Sequence, residues 1–239
     1  GNSLRYALIG LQFVISIAFI ICAIFLKKQH SYMMNYDMGF NKECLLTANI
    51  PVSSMDERNA FSSELLNNPN IKEVAWSQDR MVADSRMTWG RNHHGEQMML
   101  TVMPVSWNFL QVMGIEVFEG RDFLPSDEKG DGAIILNEYA KNKYNLNLEE
   151  VIEWNGTPFP ATGFCRDFHF KPLHEESDAF AFYIYDSEVL TKYFPTPHLT
   201  LRTIENADIK AVFDAIRATT DKILPDYGSE KVKINFFDE

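Results

Sequence analysis

Acids, imidazoles and thiols at workable spacings are where chemistry could reside. At Asp167-Phe168-His169-Phe170 an acid and an imidazole flank a phenylalanine, placing both on one face of an extended strand. Such a pair would serve an anchored hydrolase only with a nucleophile or a third ligand close by. No residue at a recognisable spacing supplies one, so the segment reads as structural. His93-His94, with Asp84 and Glu96 nearby, has the side-chain types of a metal site. Neighbours on a strand point to opposite faces, which favours a solvated loop over a shared ion. Asp127–Glu138 (DEKGDGAIILNE) has a calcium loop's acids at its first, fifth and twelfth positions and Gly132 at its sixth. Lys129, however, puts a cation at a ligand position, and the AIIL run reads as a buried strand following a turn.

Nucleotide chemistry finds no support. Neither G-x-x-x-x-G-K-S/T nor a G-x-G-x-x-G after a strand occurs, and there is no G-x-S-x-G or H-E-x-x-H. The residues thus point to no catalytic, cofactor-binding or metal-binding set. A formal net charge of −11 excludes a nucleic-acid partner, because a phosphate backbone requires clustered Lys and Arg. Of the three cysteines, Cys22 lies in an apolar run, leaving Cys44 and Cys165 as the one conceivable pair. Their spacing matches no motif, and free thiols are the simpler expectation. Asn155-Gly156-Thr157 matches a glycosylation sequon, a common triplet that means little outside a eukaryotic secretory route.

The elements around these residues begin with Tyr6–Leu26 (YALIGLQFVISIAFIICAIFL), which carries no charge and only Gln12 and Ser16 as clearly polar residues. A helix of that length spans about 30 Å, the thickness of bilayer hydrocarbon. It is apolar all round, unlike a buried helix of a soluble protein, and it lacks a small-residue cleavage site. A transmembrane helix is expected, with Arg5 on one side and Lys27-Lys28 on the other. Taken alone, the basic pair would hold the following domain in the cytoplasm.

With 239 residues, 46% of them hydrophobic, the chain can build one large domain or two small ones. Cys44–Ile50 reads as a strand, Ser53 or Ser54 as a cap with an acid three residues on, and Ile71–Ser77 as a second strand. His198–Arg202, a helix capped by Asn206 and Val232–Phe237 repeat the pattern. Two β-α-β units of this kind form an α+β sandwich of the split ferredoxin-like type. Between them, strands at Met98–Met103 and Ala133–Asn137 and a short helix from Ser106 to Gly114 indicate an inserted α+β subdomain. Ala179–Tyr185 returns as an apolar strand. The expected division is 1–30 for the helix and neck, 42–80 plus 175–239 for the β-α-β domain, and 81–174 for the smaller insertion.

These residues resemble the MacB/FtsX-like ABC-transporter permeases. The likeness rests on an RxxLxxxQFxxSI-type helix (Gln12, Phe13, Ser16) and a neck of Gln29, Tyr32, Asp37, Gly39 and Phe40. It continues through FLQVMGIEVFEGRDF (109–123), IILNEYAK (134–141) and GFCRDFHFKPLHE (163–175), and several features, the terminal FFDE among them, look most like Bacteroidetes permeases. The resemblance implies an extracytoplasmic, porter-like periplasmic core domain behind its first membrane helix in the bacterial inner membrane. That orientation opposes the one the lysines suggest. It also implies a piece of a permease, with further membrane helices and cytoplasmic coupling elements outside these residues. The implied function is non-catalytic, coupling a cytoplasmic ABC ATPase to export or mechanotransmission. The implied partners are that ATPase, a second permease copy, the lipid bilayer and a periplasmic adaptor protein. The alternative class is the extracytoplasmic sensor domain of a membrane-anchored signalling receptor.

Overall fold

The apolar run folds as one helix, α1 (Asn2–Met34). Phe13, Phe19, Ile20, Phe25 and Leu26 are all exposed on it, and each such side chain forgoes about 1.5–3 kcal/mol when left in water. Only an apolar surrounding suits this surface, and by length and composition the helix can cross a membrane. The computed structural model describes residues 2–34, 39, 44–81, 87–93, 96–129, 132–149, 151–154, 157–168, 170, 178–184 and 197–237. It divides into two compact units, Gly1–Asp37 and Met38–Glu239.

In the second unit the strands are β1 (Leu45–Asn49), β2 (Ile71–Ser77), β3 (Thr88–His93), β4 (Glu96–Pro104), β5 (Val117–Gly120), β6 (Ala133–Asn137), β7 (Val151–Trp154), β8 (Thr157–Cys165), β9 (Phe180–Ile184), β10 (His198–Thr203) and β11 (Ile234–Phe236). The helices are α2 (Met55–Leu65), α3 (Phe109–Met113), α4 (Glu138–Tyr144) and α5 (Ile209–Ile223). One sheet has the order β11-β1-β10-β2, with every neighbouring pair antiparallel. β1 and β2 therefore run parallel with β10 between them, and β10 and β11 run parallel with β1 between them. The two split β-α-β units are interleaved rather than set side by side. The rest of the fold is a seven-stranded sheet, β3-β4-β9-β6-β8-β5, with β7 paired to β8.

Local sequence explains the helix starts. Ser54 caps α2 by accepting from the Glu57 amide at 3.1 Å, while the Glu57 carboxylate takes the Ser53 N–H at 2.6 Å. The cap of α5 is Asp208, whose carboxylate accepts from the Ala211 amide at 3.1 Å, and not Asn206. Asn206 instead turns the chain before the helix, at φ 57°. The last strand is shorter than expected because Ser229–Lys231 forms a 3-10 turn first. Asp221 fixes that turn by accepting from the Ser229 N–H and hydroxyl.

Alternate residues of the first sheet enter different cores. Leu46, Val74, Trp76 and Leu199 pack beneath α2 and α5 with Phe61, Leu65, Val212 and Ile216. Leu45 and Ala75 face the other way, into a core containing Phe109, Met113, Phe168, Phe180 and Phe182. That second face also carries the paired Thr47 and Thr200, and the small side chains allow α3 to approach closely. Arg202 fastens α3 there by donating to the Val112 carbonyl, from Nε at 2.9 Å. β9, grouped by the sequence reading with the first sheet, hydrogen-bonds in the second, parallel to β4 and antiparallel to β6.

The two sheets meet where β4 ends. The Trp76 amide donates to Ser106 Oγ at 2.9 Å, the Ser106 amide to the Trp76 carbonyl at 2.8 Å and the Gln78 amide to the Pro104 carbonyl at 3.0 Å. Asn108 adds a bond from Nδ2 to the Val74 carbonyl at 2.8 Å. Ser106 thus ties this joint, while α3 itself begins after Asn108 and stops at left-handed Gly114. Packing carries most of the stability. Phe61, fully buried and edge-on to Trp76 at 5.8 Å, should cost about 3–5 kcal/mol when replaced by Ala. Denaturant unfolding of the detergent-solubilised chain measures this, and a loss below about 1 kcal/mol would contradict the assigned core.

Candidate functional site

The acid of the Asp167–Phe170 segment is held for architecture. Its Oδ1 accepts from Asn137 Nδ2 and from the Tyr139 amide, each at 2.8 Å. Phe168 and Phe170 are buried against Phe180, while His169 lies outside the described residues. The backbone of His93 lies opposite that of Glu96 at the tip of the β3–β4 hairpin; Asp84 and His94 lie outside the described residues. In the calcium-like segment, Asp127 takes two bonds from Arg121, at 2.8 and 3.0 Å, and one from the Leu124 amide at 2.8 Å. Glu138 faces Arg166 at 3.3 Å. These two acids meet protein donors, while Asp131 lies outside the described residues. Among the described residues, no three His, Cys, Asp or Glu side chains gather as metal ligands would. The three cysteines are free. Cys165 sits inside the core, where burial pushes its thiol far above the reactive range.

Asn137, wholly buried at the end of β6, bonds to several separate stretches of the chain. Besides Asp167, its Nδ2 reaches the Asp178 carbonyl at 3.0 Å. Its Oδ1 accepts from the Ala140 amide at 3.1 Å and the Phe180 amide at 2.8 Å. One side chain therefore caps α4, fixes the start of β9 and holds the chain leaving β8. A second motif residue touches the same place. Gly39 has φ 77°, and a Cβ on it would lie 2.4 Å from the Asp167 carbonyl oxygen and 2.8 Å from Phe168 Cα. Only glycine fits. Asp167 is exposed as a residue, but its carboxylate turns in toward Asn137. Partial burial raises its pKa, Glu138 adds to the rise, and the Tyr139 and Asn137 hydrogen bonds oppose it.

Among the described residues, the arrangement positions backbone. Three stretches far apart in sequence, those around Gly39, IILNEYAK and GFCRDF, converge on it. All three carry the family resemblance, and the position of Asn137 directly before a helix-forming EYAK run is an N-cap signal.

No curated protein sequence matches the chain. The family model described as the MacB-like periplasmic core domain matches residues 9–219. The chain belongs to this family. Solved structures agree with the fold of a MacB-like core domain. The periplasmic region of MacB from Actinobacillus actinomycetemcomitans superposes with a TM-score of 0.55 at 14% identity, over 82% of this chain and 90% of that one. The extracellular domain of the ABC-type transporter YknZ from Gram-positive bacteria gives 0.54 at 16% identity, over 80% and 99%. A domain of a putative permease protein from Porphyromonas gingivalis gives 0.54 at 9%, over 82% and 90%. At these identities the likeness is one of fold.

In the MacB-like domain, Asn137→Ala should lower stability by about 2–4 kcal/mol, since it strands buried donors and acceptors. Asp167→Asn should behave differently. Because the folded-state pKa is raised, the stabilisation from protonation is complete below the unfolded value of about 3.9 and disappears as pH climbs through the folded value. Relative to Asp167→Asn, the wild type should therefore gain stability as pH falls. Parallel urea titrations at several pH values check this, and a wild-type advantage growing with pH would refute it.

Proposed function

We propose that this chain is the non-catalytic extracytoplasmic core of an ABC permease subunit, anchored in the inner membrane by α1. In this reading a cytoplasmic ATPase drives motion that a pair of permease copies passes outward through α1 and the neck after it, for export or mechanotransmission. A periplasmic adaptor would receive that motion. The carrying observation is that the family match begins at Ile9, inside the apolar helix, and runs on through residue 219. Helix and folded unit are thus parts of one recurring module. Its name, periplasmic core domain, supports the outward orientation over the one that Lys27 and Lys28 alone suggest.

Asn137 and Gly39 give the reading a mechanical element. Force arriving from the neck reaches Gly39 within a few residues, and Gly39 rests on the loop that Asn137 holds. Transmission of this kind needs a stiff contact at the point of arrival. Cys44 is exposed just beyond that point and provides the test. In the complete permease with Cys44 as its single cysteine, a membrane-impermeant maleimide should label intact spheroplasts, and the labelling rate should change with ATP turnover by the partner. Labelling only after the membrane is opened would overturn the orientation; a rate indifferent to ATP would overturn the coupling.

A further inference from the structure

The polar interruptions of α1 fall on one line. Alternate steps of four and three residues from Arg5 pass through Gln12, Ser16 and Ala23 and reach His30, and residues so spaced share one face of a helix. Gln12 and Ser16 are the clearly polar residues of the run from Tyr6 to Leu26, so both belong to this face. Their depth decides what the face needs. Ser16 is the middle residue of the run, and at 1.5 Å per residue Gln12 lies roughly 6 Å from that centre. The amide of Gln12 holds two donors and an acceptor, more than the Ser16 hydroxyl one turn on can satisfy. In hydrocarbon the remainder costs free energy until it is bonded. Polar side chains at such depth therefore face a neighbouring helix rather than lipid.

The same line carries information about its occupant. Ser16 and Ala23, seven residues apart, are small enough to let a second backbone approach closely. A seven-residue recurrence is that of two helices wound left-handed about each other. Charge then selects between helices. A second copy of α1 in the same membrane would run parallel and set Arg5 against Arg5, and α1 contains no Asp or Glu to offset them. We propose that the face through Gln12, Ser16 and Ala23 seats a different membrane-spanning helix, one with a hydrogen-bonding side chain level with Gln12 and an acid near Arg5. This deepens the function proposed above and rests on its placing of α1 across a membrane.

Nitroxide labels on single cysteines test it in the complete permease in native membranes. Ile9→Cys and Phe19→Cys place the label on the polar line, whereas Val14→Cys and Ile21→Cys place it on the opposite face. Dissolved oxygen should collide several-fold less often with the first pair than with the second. Gln12→Leu should raise the collision rate at Phe19→Cys, and Gln12→Asn, which keeps the amide, should leave it low. Equal rates on both faces, or no response to Gln12→Leu, would overturn the seat. The purified chain in dilute micelles should show equal rates and sediment as a monomer. Protection of the line there, with a dimer that Gln12→Leu dissolves, would make a second copy the occupant and overturn the choice of a different helix. The readout needs neither ATP nor a given orientation, so the coupling proposed above can fail without it. Collision of a water-soluble nickel chelate with Val14→Cys would put α1 outside the bilayer and overturn both.

Discussion

A four-stranded sheet with buried residues on both faces has to be covered twice, and this requirement organises the folded unit. Leu46, Val74 and Trp76 are met by the amphipathic α2 and α5, as in any split β-α-β sandwich. The opposite face, with Leu45, Thr47, Ala75 and Thr200, is buried as well. The five-residue helix α3 and the aromatic side of the second sheet close it. The long stretch between β2 and β10 is therefore the other half of the first sheet's core.

This shared core is why the polar contacts at its margins matter. Ser106 and Asn108 join the sheets along β2, and Asn137 gathers the end of β6, the start of β9 and the chain leaving β8. Each contact satisfies buried backbone groups that the apolar packing would otherwise leave unpaired. Apolar packing supplies the energy, whereas these bonds set where the strands end and how they pair.

Local rules recovered what is local. The Ser54 cap, the stop at Gly114, the β6 segment AIILN and the two split units were all readable, since each depends on periodicity or on one side chain's bond to its own backbone. What escaped was set at long range. β8 contains Pro158 and Pro160, residues that disfavour a strand, but both lie in the part paired only to β7, where a missing N–H is tolerated. β9 has a uniformly apolar sequence, which declares burial without saying in which sheet. Among the candidate site residues, Asp167 stood out by its type, but its partner Asn137 was invisible because 30 residues separate them.

The outer margin of β2 has one last consequence. An unprotected strand margin is a template on which another chain can add itself. Here Ser106, Asn108 and the chain at Val105 already occupy backbone groups of Val74, Trp76 and Ser77 that an incoming strand would use. Tyr144 does likewise for β4, its hydroxyl both accepting from and donating to the Met99 backbone at 3.0 Å. A strand adding itself at either place would first have to displace these bonds.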